Sequence, residues 1–368
     1  MSVYAHITGW GMSVPEKVLT NDDLARMVET NSDWIISRTG IKERHIASEH
    51  QSTATLATEA AMRALRVANL SPAAIDLIIV STSSPEHIFP ATASLVQDQI
   101  GAIKAGAFDL SAACTGFIYA LNIAAQCIRS GSIQTALVIG SETLSRFVDW
   151  RDRGTCILFG DGAGAFVLQA SEEAGGVLSA VMRSDGSGGD LLSLPAGGSR
   201  IPTSFDTVHN GQQYIQMNGR EVYRFATRVM AQATQEAVDK ANLKMDDINL
   251  LIPHQANFRI IEAAARGLNF PMERVAVNVD RYGNTSTASI PLATVEAMEQ
   301  GRIKPGDRIV FVGFGAGLTW GAATVQWSGP FPTRPIVWPR RYRWTARIRS
   351  FLRRLRRQIE GIIWGRGG

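Results

Sequence analysis

The second half of this 368-residue chain repeats the first, and the duplication constrains the fold more than any other feature of the sequence. Three pairs of mainly apolar stretches match in the same order: 74–82 with 247–255, 135–141 with 308–314, and 162–169 with 320–327. Continuous apolar runs of this length are typical of strands buried on both faces of a sheet. The repeat therefore predicts two related α/β halves, packed pseudo-symmetrically with their turns facing each other.

One turn of the first half contains a candidate nucleophile, Cys114. Residues 107–110 predict a short buried strand, and 118–128 have apolar residues at helical spacing. Cys114 should therefore lie near the first turn of a mostly buried helix, where free N–H groups favour a thiolate and bind an oxyanion. A lone cysteine is more often a structural core residue, so this interpretation depends on other residues.

Two polar residues occupy equivalent positions in the second half. His254 directly follows the apolar run 250–253, and Asn284 precedes an Ala-rich helix that should begin near Ser286. The stretch 275–290 is the repeat counterpart of the Cys114 turn. A single histidine or a Gly-Asn pair is ordinarily structural. Three such residues at equivalent strand ends predict a shared catalytic site.

Composition favours a soluble globular enzyme, with 45% hydrophobic and 19% charged residues. The chain contains no run of eighteen apolar residues, so we predict no transmembrane helix. The N-terminus lacks the pattern of a secretory signal. The three cysteines form no C-x-x-C pair, which argues against a disulfide framework or a zinc site. We therefore expect no metal, and a reducing, cytoplasmic compartment.

The C-terminal segment has a different composition from the rest of the chain. From Pro330 onward there are 11 arginines and a single acidic residue, Glu360, so the net charge of +4 conceals a negative body. The Pro-rich stretch 330–339 predicts an extended linker. Beyond it, apolar residues recur on one helical face with arginines on the other, which predicts a basic amphipathic helix. The apolar positions are Trp344, Ile348, Phe351, Leu352, Leu355, Ile359, Ile362 and Ile363.

Several roles remain open for this helix. It could make reversible, peripheral contact with an anionic membrane or an acidic partner, pack back on the acidic body, or stay disordered. Non-specific nucleic-acid binding is disfavoured by the regular apolar face, and we predict no specific nucleic-acid partner. The predicted domains are an N-terminal half at 1–172, a C-terminal half at 173–329, and the linker and helix at 330–368.

Four motifs carry a resemblance to a known family: Ala-Cys-Thr-Gly-Phe at 113–117, Pro-His-Gln-Ala-Asn at 253–257, Tyr-Gly-Asn-Thr-Ser at 282–286, and the glycine-rich stretch at 313–321. Over about residues 1–327 the sequence resembles the β-ketoacyl-acyl carrier protein synthases III, priming enzymes of fatty-acid synthesis in the thiolase superfamily. The resemblance implies a thiolase-like fold with α-β-α-β-α layers and a Cys114–His254–Asn284 triad. Asn284 distinguishes the chain from elongating synthases, which have a second histidine, and from hydroxymethylglutaryl-CoA synthases, which rely on a glutamate.

The resemblance also implies a reaction without a cofactor. An acyl-CoA primer would acylate Cys114, and malonyl-acyl carrier protein would then lose carbon dioxide to give an enolate held by His254 and Asn284. Attack on the acyl-cysteine would yield the 3-ketoacyl product. The N–H groups of Cys114 and Ala316 would form the oxyanion hole, and Asn257 would orient the histidine side of the site.

Further residues are assigned to substrate arms by the same resemblance. Coenzyme A would be bound by Trp34, Arg38, Thr39 and Arg153. The acyl carrier protein would meet Arg224 and Arg259. Phe89 would reach across a homodimer to cap the acyl pocket.

Two alternatives remain open from the sequence. A specialised synthase or acyltransferase of secondary metabolism could use the same triad on a different primer. A non-catalytic scaffold recruited by the basic tail is a second alternative. The intact triad argues against it, because a scaffold has no need of Cys114, His254 and Asn284 together.

Overall fold

The structure is a computed structural model that describes residues 2–330 and 342–363. Within these ranges the strands are β1 Tyr4–Ser13, β2 Val18–Thr20, β3 Glu43–His45, β4 Leu77–Ser81, β5 Gly106–Leu110, β6 Thr135–Glu142, β7 Gly162–Ser171, β8 Gly176–Ser184, β9 Leu192–Ser193, β10 Gln216–Met217, β11 Leu250–Pro253, β12 Arg308–Gly315 and β13 Thr319–Gln326. The α-helices are α1 Asn21–Ala25, α2 Ser32–Thr39, α3 Thr53–Val67, α4 Thr92–Ile100, α5 Gly116–Arg129, α6 Phe205–His209, α7 Gly219–Lys240, α8 Phe258–Gly267, α9 Val279–Tyr282, α10 Ser289–Glu299 and α11 Tyr342–Ile363.

Two mixed sheets repeat one topology. The first sheet has the order β1-β7-β6-β4-β5, and the second has the order β8-β13-β12-β11. In each sheet the second strand is antiparallel to both the first and the third, and the fourth is parallel to the third. The fifth position of the second sheet is reduced to a parallel bridge between Leu251 and Val275. The duplication expected from the sequence is therefore confirmed in strand order and direction.

Helices complete the layers around these sheets. Helices α3 and α4 cover the outer face of the first sheet, and α7 packs on the second sheet with α8 beside it. Helices α5 and α10 lie between the sheets, where the ring of Phe166 contacts those of Phe117 and Phe311 at centroid distances of 5.1 and 5.9 Å. This is the layered thiolase-like fold that the sequence predicted. The domain boundaries after residues 172 and 329 stay predictions.

The C-terminal helix α11 packs on α4. Its Ala346 and Ser350 are buried, and the Ser350 hydroxyl donates a hydrogen bond to Asp98 at 2.6 Å. Docking on the body was one of the alternatives left open by the sequence. The predicted linker at 330–339 lies almost wholly outside the described residues, as do the side chains of Ile362 and Ile363. None of the helices in the described ranges is long and apolar enough to cross a bilayer.

Candidate active site

Two strained turns, one from each half, meet at the centre of the molecule. The 3-10 turn Ala113–Thr115 leads into α5, and the 3-10 turn Ser286–Ala288 leads into α10. Each begins with a non-glycine residue in the left-handed region, Ala113 at φ 46° and Ser286 at φ 47°. Such backbone conformations are costly and persist where the surrounding structure fixes them. The pseudo-symmetry thus brings the Cys114 turn against the turn that follows Asn284.

Cys114 lies where two cavities meet. A cavity of about 710 Å³ is lined by Cys114, His254 and Asn284 together. A smaller, largely apolar cavity of about 100 Å³ is lined by Cys114, Ala113 and Ala316 among others. The thiol therefore lies where the large cavity meets the small apolar one.

Burial dominates the electrostatics of Cys114. It raises the pKa of the thiol to about 12, and the nearby Glu142 charge acts in the same direction, while the nearby Ser286 hydroxyl opposes them. The sequence indicated a thiolate stabilised by a helix N-terminus. Desolvation outweighs that effect because it disfavours the charged form. The resting group is a neutral thiol.

His254 follows β11 and is held from both sides. Its backbone N–H donates to Val312 at 2.7 Å, and its Nδ1 forms a 2.6 Å hydrogen bond with the hydroxyl of Ser289, the first residue of α10. Its Nε2 is buried and has no hydrogen-bond partner among the described residues. Burial lowers the pKa of the imidazole to about 3, so the ring is neutral at physiological pH.

Asn284 is oriented by its own turn. Its backbone N–H donates to Leu158 at 2.8 Å, and its side-chain oxygen accepts a hydrogen bond from the N–H of Ser286 at 2.9 Å. Because this bond occupies the amide oxygen, Nδ2 is the end of the side chain that remains to donate. The Asn284 amide and the neutral His254 imidazole thus line one cavity.

The end of β12 approaches the Cys114 backbone closely. A Cβ atom added to Gly315 would lie only 2.7 Å from the Cys114 nitrogen, so a residue without a side chain is required there. The next residue, Ala316, lines the small pocket together with Cys114. The two residues expected to form an oxyanion hole are therefore close together.

Trp34 forms a planar platform beside the large cavity. The guanidinium carbons of Arg38 and Arg153 lie 4.6 and 5.1 Å from the centroid of its ring, distances typical of cation–π contacts. Trp34 and Arg38 line the cavity, and Arg153 is adjacent to the lining residue Gly154. The structure brings together these three residues assigned to coenzyme A.

Thr39 and Asn257 have structural hydrogen bonds. The Thr39 hydroxyl donates to the Ile35 carbonyl at 2.7 Å and accepts from the N–H of Ile41 at 3.0 Å. The Asn257 side chain caps α8 and donates to the Arg38 carbonyl at 2.9 Å. Both residues line the large cavity, but their polar groups hold α2 and α8 in place. The hydrogen-bond partner of His254 is Ser289 rather than Asn257.

Basic residues surround the outer part of the large cavity. Arg224 is paired with Glu221 at 2.9 Å, and the Arg259 guanidinium lies 5.6 Å from the Tyr223 ring centroid. Arg220, which the sequence analysis did not single out, is another lining residue. Phe89 is 84% exposed and lies in neither cavity of this single chain.

A buried carboxylate behind the site was also not predicted from the sequence. Glu142, at the end of β6, accepts hydrogen bonds from the N–H of Ser83, the hydroxyl of Ser84 at 2.6 Å and the hydroxyl of Thr287 at 2.9 Å. It thereby ties the end of β4 in one half to the strained turn of the other. Burial raises the pKa of this carboxyl, while the donors oppose the shift.

No local sequence pattern predicted the large apolar residues that line the small apolar cavity either. They come from segments far apart in the chain, and only folding brings them together. They are Leu144, Phe147, Phe159, Leu192, Leu194 and Ile215. Among the described residues no group of three His, Cys, Asp or Glu side chains could hold a metal ion.

Comparisons with known proteins agree with this geometry. The profile described as 3-oxoacyl-[acyl-carrier-protein (ACP)] synthase III matches residues 108–186, and the profile of its C-terminal part matches 238–327. A relative from Roseiflexus sp., named beta-ketoacyl-[acyl-carrier-protein] synthase III, is 52% identical over 328 residues, covering 89% of this chain and 100% of the relative. A protein of the same name from Desulfitobacterium hafniense is 55% identical over 322 residues, covering 88% and 97%.

Solved structures give the same result. The 3-oxoacyl-[acyl-carrier-protein] synthase III from Aquifex aeolicus has a TM-score of 0.81 and 48% identity, covering 88% of this chain and 100% of that one. A priming beta-ketosynthase from a polyketide biosynthetic pathway has a TM-score of 0.82 and 33% identity, covering 89% and 97%. The chain therefore belongs to the β-ketoacyl-acyl carrier protein synthase III family, whose members are acyltransferases with the thiolase-like fold found here.

Proposed function

We propose that this enzyme starts fatty-acid synthesis by a decarboxylative Claisen condensation between an acyl-CoA primer and malonyl-acyl carrier protein. The observation that carries the proposal is the shared cavity of Cys114, His254 and Asn284, in which His254 Nε2 is buried and has no hydrogen-bond partner within the described part of the chain. A buried unpaired polar atom is costly, and a substrate oxygen would satisfy it.

The first half-reaction transfers the acyl group. Cys114 Sγ attacks the thioester carbonyl of the acyl-CoA, its proton passes to the departing sulfur, and free coenzyme A leaves. Because the resting group is a neutral thiol, proton removal must accompany attack. The negative oxygen that forms is held by the N–H groups of Cys114 and Ala316.

The second half-reaction builds the new carbon–carbon bond. The malonyl carboxylate leaves as carbon dioxide, and its bonding electrons form an enolate on the thioester oxygen. His254 Nε2–H and Asn284 Nδ2–H donate to that oxygen, which requires Nδ1 of His254 to accept from the Ser289 hydroxyl. The carbanion then attacks the acyl-Cys114 carbonyl, and the carbon–sulfur bond breaks to release the 3-ketoacyl-acyl carrier protein. The departing cysteine thiolate takes up a proton from water, which restores the neutral thiol.

The cavities suggest where each substrate is bound. The 100 Å³ pocket is small and apolar, which favours a short acyl primer. The adenine and phosphates of coenzyme A would bind at Trp34, Arg38 and Arg153, where planar and cationic groups meet. Arg224 and Arg259 would receive the acidic carrier protein.

Assembly and location are part of the proposal. We propose a cytoplasmic homodimer in which Phe89, 84% exposed in the single chain, caps the acyl pocket of the partner. The primer would then be limited by an aromatic ring from the second subunit. We further propose that the C-terminal helix makes peripheral contact with a membrane.

A specialised synthase of secondary metabolism is the second candidate. It is supported by the resemblance to the polyketide priming beta-ketosynthase at 33% identity. The relatives named for acyl carrier protein synthase III are considerably more similar, at 52 and 55%, and favour the primary pathway.

Intact-mass spectrometry tests the reaction and identifies the primer. The protein is mixed with acetyl-CoA and with longer or branched acyl-CoAs, beside Cys114→Ala, and malonyl-acyl carrier protein is then added. We expect an acyl adduct that is absent in Cys114→Ala and is discharged as 3-ketoacyl product. Adduct formation without condensation would instead indicate an acyltransferase relative, and no adduct with any primer would support a non-catalytic scaffold.

A further inference from the structure

Helix α11 is docked with its polar side inward. An amphipathic helix on the surface of a globular protein ordinarily packs its apolar stripe on the core. Here the residues in contact with the body are Ala346 and Ser350, which are 3% and 9% exposed. The large apolar residues Trp344 and Phe351 are 62% and 63% exposed.

The spacing of the residues shows that this exposure is a property of one whole face. Successive helical residues advance by about 100°, so Leu355 lies about 140° around the helix from Ser350. The exposed apolar residues recur on the side of Leu355. We call them the outer stripe: Trp344, Ile348, Phe351, Leu352, Leu355 and Ile359.

Polar contacts hold the helix in this orientation. The Ser350 hydroxyl donates to Asp98 at 2.6 Å, and Arg354 lies 3.9 Å from the same carboxylate and donates to the Ser350 oxygen at 3.0 Å. A Cβ on Gly101, at the end of α4, would lie 3.4 Å from the Ala346 side chain. Small and polar residues thus fit α11 to α4 and leave the outer stripe uncovered.

Positive charge borders the stripe. On the helical projection, Arg347 lies along one edge, and Arg349 and Arg356 lie along the other. Of the described acidic residues, only Asp98 and Glu360 lie within 4 Å of an α11 arginine. An exposed apolar stripe flanked by arginines is the arrangement of helices that lie in the headgroup region of anionic bilayers.

We propose that the outer stripe of α11 inserts into the surface of an anionic lipid bilayer while the helix stays docked on α4. The inference deepens the proposed peripheral contact and rests on it, but it is independent of the acyl chemistry. A second copy of the helix fits less well, because pairing two stripes would bring their bordering arginines together. Docking through α4 would hold the enzyme body at the bilayer in one orientation.

Vesicle flotation of the full-length protein tests the proposal. The vesicles contain either phosphatidylcholine alone or an equal mixture of phosphatidylcholine and phosphatidylglycerol. We expect flotation with the anionic vesicles and at least tenfold less with the zwitterionic ones. A triple variant, Trp344→Ser, Phe351→Ser and Leu355→Ser, should lower the bound fraction at least tenfold.

Two matched variants separate the apolar contribution to vesicle binding from the electrostatic one. Phe205→Ser with Val208→Ser removes exposed apolar residues elsewhere on the surface and should leave flotation unchanged. Arg349→Gln with Arg356→Gln should weaken binding to anionic vesicles and reduce its sensitivity to salt. Circular dichroism and the condensation rate without vesicles should be unaltered in all of these variants, so a failure here is distinguishable from a failure of the catalytic proposal.

Two results would overturn the inference. The first is equal flotation of the wild type and the triple variant with anionic vesicles. The second is a lipid-free, concentration-dependent oligomer that the triple variant abolishes, since the occupant of the stripe would then be a second copy of the chain.

Discussion

Nδ1 of His254 and Oγ of Ser289 lie 2.6 Å apart, although 35 residues separate them in the chain. The bond joins the end of β11 to the first residue of α10, and Nε2 of the imidazole has no hydrogen-bond partner among the residues that the structure describes. An accepting Nδ1 fixes the tautomer in which Nε2 carries the proton. Ser289 is thus a positioning residue for the proposed enolate donor.

We expect Ser289→Ala to slow decarboxylation of malonyl-acyl carrier protein about five- to tenfold. Loss of one neutral hydrogen bond costs about 1 kcal/mol, and the His254 tautomer would no longer be fixed. Acylation of Cys114 should change little, so carbon dioxide release and mass-detected acylation are measured separately. Ser130→Ala, on an exposed turn, serves as the control. An equal loss in both half-reactions would point to a general structural effect.

The buried imidazole of His254 should make the protein sensitive to acid. Its folded pKa of about 3 is below the value of about 6.5 in an unfolded chain, so the unfolded state takes up the proton first. The free energy of unfolding is therefore unaffected above about pH 6.5 and falls below it by up to about 1.4 kcal/mol per pH unit. Urea denaturation of the wild type and His254→Asn between pH 7.5 and 4.5 measures this, and the variant should show a shallower decline.

Cys114 should alkylate slowly at neutral pH. With burial raising the pKa of the thiol to about 12, its reactive thiolate fraction should keep rising up to pH 10, about tenfold per unit. An ordinary cysteine levels off near pH 8.5. Iodoacetamide labelling with peptide mapping gives the rate at this site. Ser286→Ala removes a hydroxyl that stabilises the thiolate and should lower the rate further; a plateau near pH 8.5 would contradict the prediction.

Glu142→Gln should destabilise the protein by about 2–3 kcal/mol. The carboxylate accepts hydrogen bonds from Ser83, Ser84 and Thr287, and a glutamine NH₂ group would face donors instead of satisfying them. The strained turn after Asn284 would shift, so condensation should slow as well. Urea denaturation and the condensation rate check both effects. Glu16→Gln, on the exposed surface, should leave both unchanged.

Trp34→Ala should raise the KM for acyl-CoA about tenfold and leave kcat nearly unchanged. The platform contributes about 1–2 kcal/mol of stacking and cation–π contacts with a planar ligand, and these contacts lie away from the reacting carbonyl. Steady-state kinetics at saturating malonyl-acyl carrier protein provide the measurement. Trp34→Phe keeps a planar ring and should restore part of the affinity, whereas a loss confined to kcat would count against a binding role.

Short stretches of sequence were sufficient to predict the candidate triad. His254 directly follows an apolar run, and the repeat relates the Cys114 turn to the stretch 275–290 that contains Asn284. The supporting contacts could not be predicted in this way. Glu142 and Thr287 are 145 residues apart, and no local pattern relates a carboxylate at one strand end to a hydroxyl in the other half.

The sequence by itself determined the paired apolar strands of the two halves, their duplicated order, the three polar residues and the amphipathic character of α11, because each depends on local sequence patterns. Tertiary structure alone decided that Ser289 rather than Asn257 is hydrogen-bonded to His254, that desolvation keeps Cys114 a thiol, and that the apolar stripe of α11 faces outward. These outcomes depend on which surfaces pack together and how far they exclude water. Packing between distant segments is a property of the assembled fold.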